Sequence, residues 1–214
     1  MTRVKICGIR RLEDALLAAE LGASALGFIF WPSSPRFLDP DSARPIVAAL
    51  PPFITTVGVF VDAPEQHVSS VARLLNLGAI QLHGQENVEP YAQGSYRLIK
   101  AVSVADAAEC LAAVEAVSAR ATVLLDAHDP VRRGGTGRTI DWTQAASAAK
   151  MRPIILSGGL NADNVRAAVD VVRPYAVDVS SGVESSPGIK DPDKLRALFA
   201  ALSAGVGQHE TETI

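Results

Sequence analysis

Two side chains in this sequence stand where proton chemistry is possible. Cys7 closes the apolar run 3–7 (RVKIC) and is followed at once by Gly8. Asp126 closes another, 121–126 (ATVLLD). A free thiol ionises near pH 8.5, so a few per cent is thiolate at neutral pH, enough to act as a base beside an imine or carbonyl. An aspartate facing it would serve as the acid if it held a proton at the working moment, which burial or a nearby phosphate would favour. Each has a plainer reading. A cysteine is more often a small buried core residue, and an aspartate before AHDP suits a turn or helix cap. Cys110 fits the plainer reading, because it lies on the apolar stripe of a helix with Ala107, Leu111 and Val114.

Other candidates also sit at the ends of apolar runs. Arg36 follows 25–30 (ALGFIF) in WPSSPRF, and its planar fork suits a carboxylate. His83 ends 79–83 and reads as a supporting donor or a satisfied strand-end histidine. Gly158 and Gly159, in SGGLNADNV, let the backbone approach an anion at a helix start. Ser180, Ser181 and Gly182 offer a second set of donors after 175–180. Gly135 belongs to RRGGTG (132–137), a glycine-rich loop able to close over the same end. The four histidines are spread along the chain, with His67 on a helix and His209 in the tail, so no metal is expected.

The elements that must position these groups follow from periodicity. Eight short apolar or β-branched runs recur, at 3–7, 25–30, 55–61, 79–83, 97–102, 121–126, 153–157 and 175–180. Helical spacing fills the gaps, as in Leu195, Leu198, Phe199 and Leu202. Helix starts are expected at Asp41, Asp62, Asp141 and Asp191. Eight strand–helix units close most economically into a single-domain α/β (β/α)8 TIM barrel, for which 214 residues is compact against a usual ~250. An open doubly wound sheet would want its glycine-rich turn after the first strand, whereas the glycine clusters here come late. Residues 1–202 form the expected barrel, and 203–214 a tail that frays. Pro45 stands within the helix expected from Asp41, so that helix should start late or kink.

A barrel of this kind carries its site at the C-terminal strand ends, with phosphate held after strands 7 and 8. Strands 6 and 1 flank those two, which would place a phosphosugar between Asp126 and Cys7. Period two turns Lys5 the same way as Cys7, and Asp178 the same way as Ser180. Strands 8 and 1 adjoin in a closed barrel, so Lys5 and Asp178 should form an inward ion pair beneath the site.

Composition excludes several classes. The chain is 48% hydrophobic and 20% charged, with a net charge of −3, so no basic field invites nucleic acid. No apolar run approaches the ~20 residues of a membrane span. The start MTRVKICGIR has no signal-peptide pattern, and two cysteines are too few for a disulfide framework. A cytoplasmic protein with reduced thiols is expected, and a monomer and a homodimer fit equally.

Taken together, KICGIR, GFIFWPSSPRF, VGVFVD, QLHG, LLDA, GGTG, LSGGL and VDVSSGVESSPGIKD resemble the phosphoribosylanthranilate isomerase family, over about residues 3 to 202. The resemblance implies a (β/α)8 barrel that performs an Amadori rearrangement of a phosphoribosyl aryl amine in tryptophan biosynthesis without metal or cofactor. It further implies Cys7 as general base, Asp126 as general acid, Arg36 facing the aryl carboxylate, and the late glycine loops on the phosphate. The related bifunctional isomerase is expected to carry aspartate where Cys7 stands. An epimerase on this barrel would need converging metal ligands. A lyase would want a lysine at a strand mouth, whereas Lys100 lies within the fifth strand. A barrel that only binds a phosphorylated ligand would not need both acid and base.

Overall fold

The computed structural model describes residues 2–104, 107–127 and 141–203. Eight parallel strands close into a barrel in chain order: β1 Arg3–Cys7, β2 Ala25–Ile29, β3 Thr55–Phe60, β4 Ala79–Leu82, β5 Arg97–Val104, β6 Ala121–Ala127, β7 Ile154–Leu156 and β8 Ala176–Val179. β8 returns to β1 in the register Lys5↔Asp178, which closes the ring. The helices are α1 Leu12–Glu20, α2 Pro40–Ala48, α3 Glu65–Leu75, α4 Ala107–Ala116, α5 Trp142–Met151, α6 Val165–Val172 and α7 Pro192–Ser203.

Strands covered on both faces read as near-continuous apolar runs, and their alternate residues separate two cores. The inner core is built from small and branched side chains, among them Val57, Ala79, Ile99, Leu124, Ile155 and Ala176. The outer core packs Leu26, Phe28, Ile80 and Leu82 against helix residues such as Ala15, Ala18 and Val68. Cys110 belongs to this outer layer at 2% exposure, on α4 and outside the barrel interior.

Three local expectations are corrected. The first helix past β2 starts earlier than Asp41: Asp39 caps it, accepting from the backbone N–H groups of Asp41 and Ser42, and Pro40 takes the first turn. Pro45 lies inside that helix and does not delay it. The carbonyl it fails to satisfy belongs to exposed Asp41, where water can serve, and the helix ends three residues later. Asp62 does not start α3, which follows Pro64. It adopts φ 48° and its carboxylate accepts from the N–H of Gln85, tying β3 to the loop after β4. Between β4 and β5 the expected helix is only a 3₁₀ turn, Glu89–Gln93. Fourteen residues holding Gly84, Pro90 and Gly94 leave no room for more, and Glu86 stitches that loop by accepting from the N–H groups of Asp62 and Gly84 and from Lys100. Asp141 and Asp191 do cap their helices.

Sequence alternation also left out a hairpin. After β8 and a short 3₁₀ turn, Ser181–Val183, strands β9 Glu184–Ser186 and β10 Ile189–Lys190 pair antiparallel. Pro187 and Gly188 form their connection, with Gly188 at φ 81°.

Lys5 donates to Asp178 at 2.9 Å, and both side chains are buried inside the barrel, as the period-two argument expects. Removing one partner of such a pair strands the other charge. Lys5→Met should therefore destabilise the fold by about 3–5 kcal/mol. Lys5→Met with Asp178→Leu, which leaves no lone charge, should regain most of that loss in urea denaturation.

Candidate active site

Cys7, Arg36, His83, Asp126, Ser180 and Ser181 line one cavity of about 650 Å³ at the C-terminal ends of the strands. Each arrives there for a local reason. Cys7 is the last residue of β1 and points inward two positions after Lys5. Opposite its sulfur, β2 carries Gly27, where an added Cβ would lie 2.9 Å from Sγ, so the absence of a side chain makes the thiol's niche. Gly8 then turns the chain at φ +77°, and a Cβ on it would lie 2.7 Å from Arg36 Cδ. A bare, left-handed residue directly after the cysteine is what lets the arginine stem lie across the end of β1.

The thiol is 6% exposed. Burial pushes its pKa up and the Asp178 charge adds to this, while the ammonium groups of Lys5 and Lys190 pull it down; the balance lies above an ordinary thiol. Following thiolate absorbance against pH in a Cys110→Ala background should give a midpoint above the ~8.5 of a free thiol. Lys5→Met should move that midpoint higher still, because it removes a stabilising positive charge.

Asp126 is 5% exposed near the end of β6, and His83 Nε2 lies 3.2 Å from its Oδ2. His83 is oriented in turn by Gln81, whose amide nitrogen lies 3.0 Å from Nδ1. With the amide so oriented, Nδ1 accepts and Nε2 carries the hydrogen toward Asp126. Gln81 is buried and shares the inward side of β4, being two residues before His83. The period-two rule that located Lys5 would have found it.

Arg36 is neither solvated nor alone. It is 8% exposed, and its Nε and Nη2 form a fork on the Glu184 carboxylate at 2.9 and 2.7 Å. Burial would raise the Glu184 carboxyl, but Arg36 and Lys190 bring it below the usual carboxylate range. Lys190, essentially inaccessible, donates to Glu184 at 2.8 Å, to the Cys7 carbonyl at 2.6 Å and to the Ser180 carbonyl at 3.1 Å. Glu184 and Lys190 come from the hairpin strands, and neither was marked by strand-end reading.

Of the glycine loops, Gly158 and Gly159 take φ of 90° and 61°, and α6 begins only at Val165, after a turn tied by Asn161 and Asn164. A Cβ at Gly182 would collide with the Leu160 carbonyl, so the loops after β7 and β8 touch there. Ser180 spends its hydroxyl on the Cys7 carbonyl at 3.2 Å. Ser180 and Ser181 line the cavity, whereas the three glycines lie beside it and do not. Gly135 and the rest of GGTG fall outside the described residues, as does the tail from 204. Lys100 faces the other way, donating to the Gly84 carbonyl and Glu86, so it does not reach the mouth as a lyase lysine would have to. Among the described residues no cluster of His, Cys, Asp and Glu is placed to hold a metal, and no helix is long and apolar enough to cross a membrane.

The comparisons with known proteins agree in extent and direction. The family model described as N-(5'-phosphoribosyl)anthranilate (PRA) isomerase matches residues 4–201. A relative from Geobacter metallireducens named N-(5'-phosphoribosyl)anthranilate isomerase is 50% identical over 206 residues, spanning 95% of this chain and 100% of its own. Among solved structures, phosphoribosyl anthranilate isomerase from Thermotoga maritima is similar with a TM-score of 0.88 and 43% identity, over 95% of this chain and 100% of that one. A solved structure of phosphoribosyl anthranilate isomerase in complex with reduced 1-(o-carboxyphenylamino)-1-deoxyribulose 5-phosphate gives a TM-score of 0.84 and 42% identity, over 95% of this chain and 100% of that one. A match that runs from β1 into α7, across every strand end described above, shows that the chain belongs to the N-(5'-phosphoribosyl)anthranilate isomerase family.

Proposed function

We propose that the chain converts N-(5-phosphoribosyl)anthranilate to 1-(2-carboxyphenylamino)-1-deoxyribulose 5-phosphate, with Asp126 as general acid and Cys7 as general base. The observation that carries this reading is the shared cavity, in which a buried thiol and a buried carboxyl group face one space large enough for a phosphosugar. Asp126 gives its proton to the ribose ring oxygen. The C1–O bond breaks as the nitrogen lone pair forms C1=N, leaving an open-chain iminium. The Cys7 thiolate takes the C2 proton, and the C2–H electrons become the C1=C2 bond of an enolamine while nitrogen regains its lone pair. The enol hydroxyl then loses its proton and C1 gains one, giving the ketone. Solvent exchange returns the thiol's proton to the Asp126 carboxylate, so the cycle closes without a cofactor.

The anionic ends of this substrate suit the rest of the mouth. Arg36 takes the aryl carboxylate, with Ile29, Trp31 and Val59 as an apolar wall beside it. Ser180, Ser181 and Gly182 after β8, with Gly158 and Gly159 after β7, supply backbone donors for the phosphate. Lys5 and Asp178 brace the floor beneath Cys7, and His83 orients the Asp126 carboxyl. Two unpaired thiols, Cys7 and Cys110, suit a reducing cytoplasmic setting.

The direct test mixes purified protein with the anthranilate adduct of phosphoribose and follows its fluorescence. Loss of the signal with formation of the ketose supports the reading, and an unchanged signal refutes it. A barrel that only binds the phosphosugar would protect the adduct without converting it.

A further inference from the structure

Arg36 has two edges able to grip a carboxylate, and Glu184 already occupies one. The planar guanidinium presents a side edge through Nε and Nη2 and an end edge through Nη1 and Nη2. Glu184 takes the side edge, with Nε at 2.9 Å from one oxygen and Nη2 at 2.7 Å from the other. Nη1 makes no hydrogen bond among the described residues, and both Arg36 and Glu184 line the cavity. The carboxylate that holds Arg36 is itself held. Lys190 and the N–H of Gly188 both donate to its Oε1, and Lys190 is locked by the carbonyls of Cys7 and Ser180. The side chains of Arg36, Glu184 and Lys190 are 10%, 4% and 0% exposed. Two positive charges and one negative leave this buried group one charge short of balance, which an arriving carboxylate would supply.

We propose that Glu184, clamped by Lys190, is a positioning residue for Arg36, fixing one edge of the guanidinium so that the end edge meets the carboxylate of an aryl substrate. A flexible arginine would have to be ordered at each binding event, at a cost in side-chain entropy. Here the fork is ordered in advance, and its stem rests on Gly8. The backbone anchors of Lys190 tie this fork to the same strand ends that carry Cys7 and Ser180, so the distance from carboxylate to base is set by a single network. This inference rests on Arg36 as the carboxylate group of the proposed reaction.

The test compares two substrates, the anthranilate adduct and the aniline adduct of phosphoribose, which differ only in the aryl carboxylate. Wild type should favour the first in kcat/KM by roughly 10- to 100-fold, the worth of hydrogen bonds between charged groups. Arg36→Met should bring that ratio close to one. Glu184→Gln, which cannot accept the fork on two oxygens, should cut the ratio about tenfold, through KM for the anthranilate adduct, while the aniline adduct changes far less. Glu184→Asp keeps the charge but shortens the arm, and it provides the same reading if the glutamine variant does not fold. A purely structural ion pair would lower both substrates together and leave the ratio alone. If Arg36→Met abolishes the preference and neither Glu184 variant reduces it, the positioning role is overturned and the role of Arg36 stands. If Arg36→Met leaves the preference intact, the carboxylate assignment fails, and the positioning role with it.

Discussion

Cys7→Ser is expected to lower kcat by ~10²–10⁴-fold, the usual contribution of a positioned general base, while KM changes little. Serine is smaller than cysteine and fits the niche opposite Gly27 without collision. Burying a hydroxyl there costs stability of about 1–3 kcal/mol at most, so the protein should fold and bind. What it loses is acidity. A buried thiol already sits above the ordinary thiol range, held within reach of ionisation by Lys5 and Lys190. A hydroxyl in the same place is out of reach near neutral pH, and those two ammonium groups cannot make up the difference. Were Cys7 merely packing, the substitution would change the melting temperature and leave turnover nearly intact. Cys110→Ala is the matching control. It removes a buried thiol from the outer layer, and it should alter stability without altering kcat.

Asp126→Asn should cost a similar ~10²–10⁴-fold in kcat. The change is nearly isosteric, and asparagine can still receive the hydrogen bond from His83, whose Nε2 lies 3.2 Å from the present carboxyl oxygen. Packing and substrate affinity should therefore persist. What disappears is a dissociable proton aimed at the ring oxygen, without which the furanose does not open at a useful rate. A turn or capping aspartate would tolerate asparagine almost without effect, so a small change in kcat would return Asp126 to that plainer role. The two losses should not multiply when the variants are combined, because acid and base act in one sequence of steps and removing either already leaves little catalysis to lose.

How much of this was legible before the structure depends on the kind of rule each residue obeys. Cys7, His83 and Asp126 were visible because strand ends in a barrel converge, and the convergence depends only on finding the strands. Lys5 and Asp178 were visible because side chains alternate along a strand and the ring must close. Gln81 obeys the same alternation, two residues before His83, and was legible by the same rule. Glu184 and Lys190 are different. They are brought to the site by a two-strand hairpin after β8, and β10 is two residues long, too short for any periodicity to register. The Pro187–Gly188 pair is its one local mark. Arg36 was found by chemistry, but its partner was not, since a carboxylate 148 residues away in sequence leaves no trace near it. The errors at Asp41 and Asp62 arose where two nearby aspartates, or an aspartate and a proline, could each start a helix. At β4 the expected helix gave way to a 3₁₀ turn because proline and two glycines left too little chain to wind.

The central claim is a division of labour, with Asp126 opening the ring and Cys7 removing hydrogen from C2. It is tested most directly by the isotope effect on turnover of substrate deuterated at C2, measured for wild type and both variants. If the roles are as assigned, Cys7→Ser makes C2 proton removal the slow step and shows a full primary isotope effect. Asp126→Asn makes ring opening slow and shows almost none. The reverse pattern, or an isotope effect unmoved by either substitution, would contradict the account.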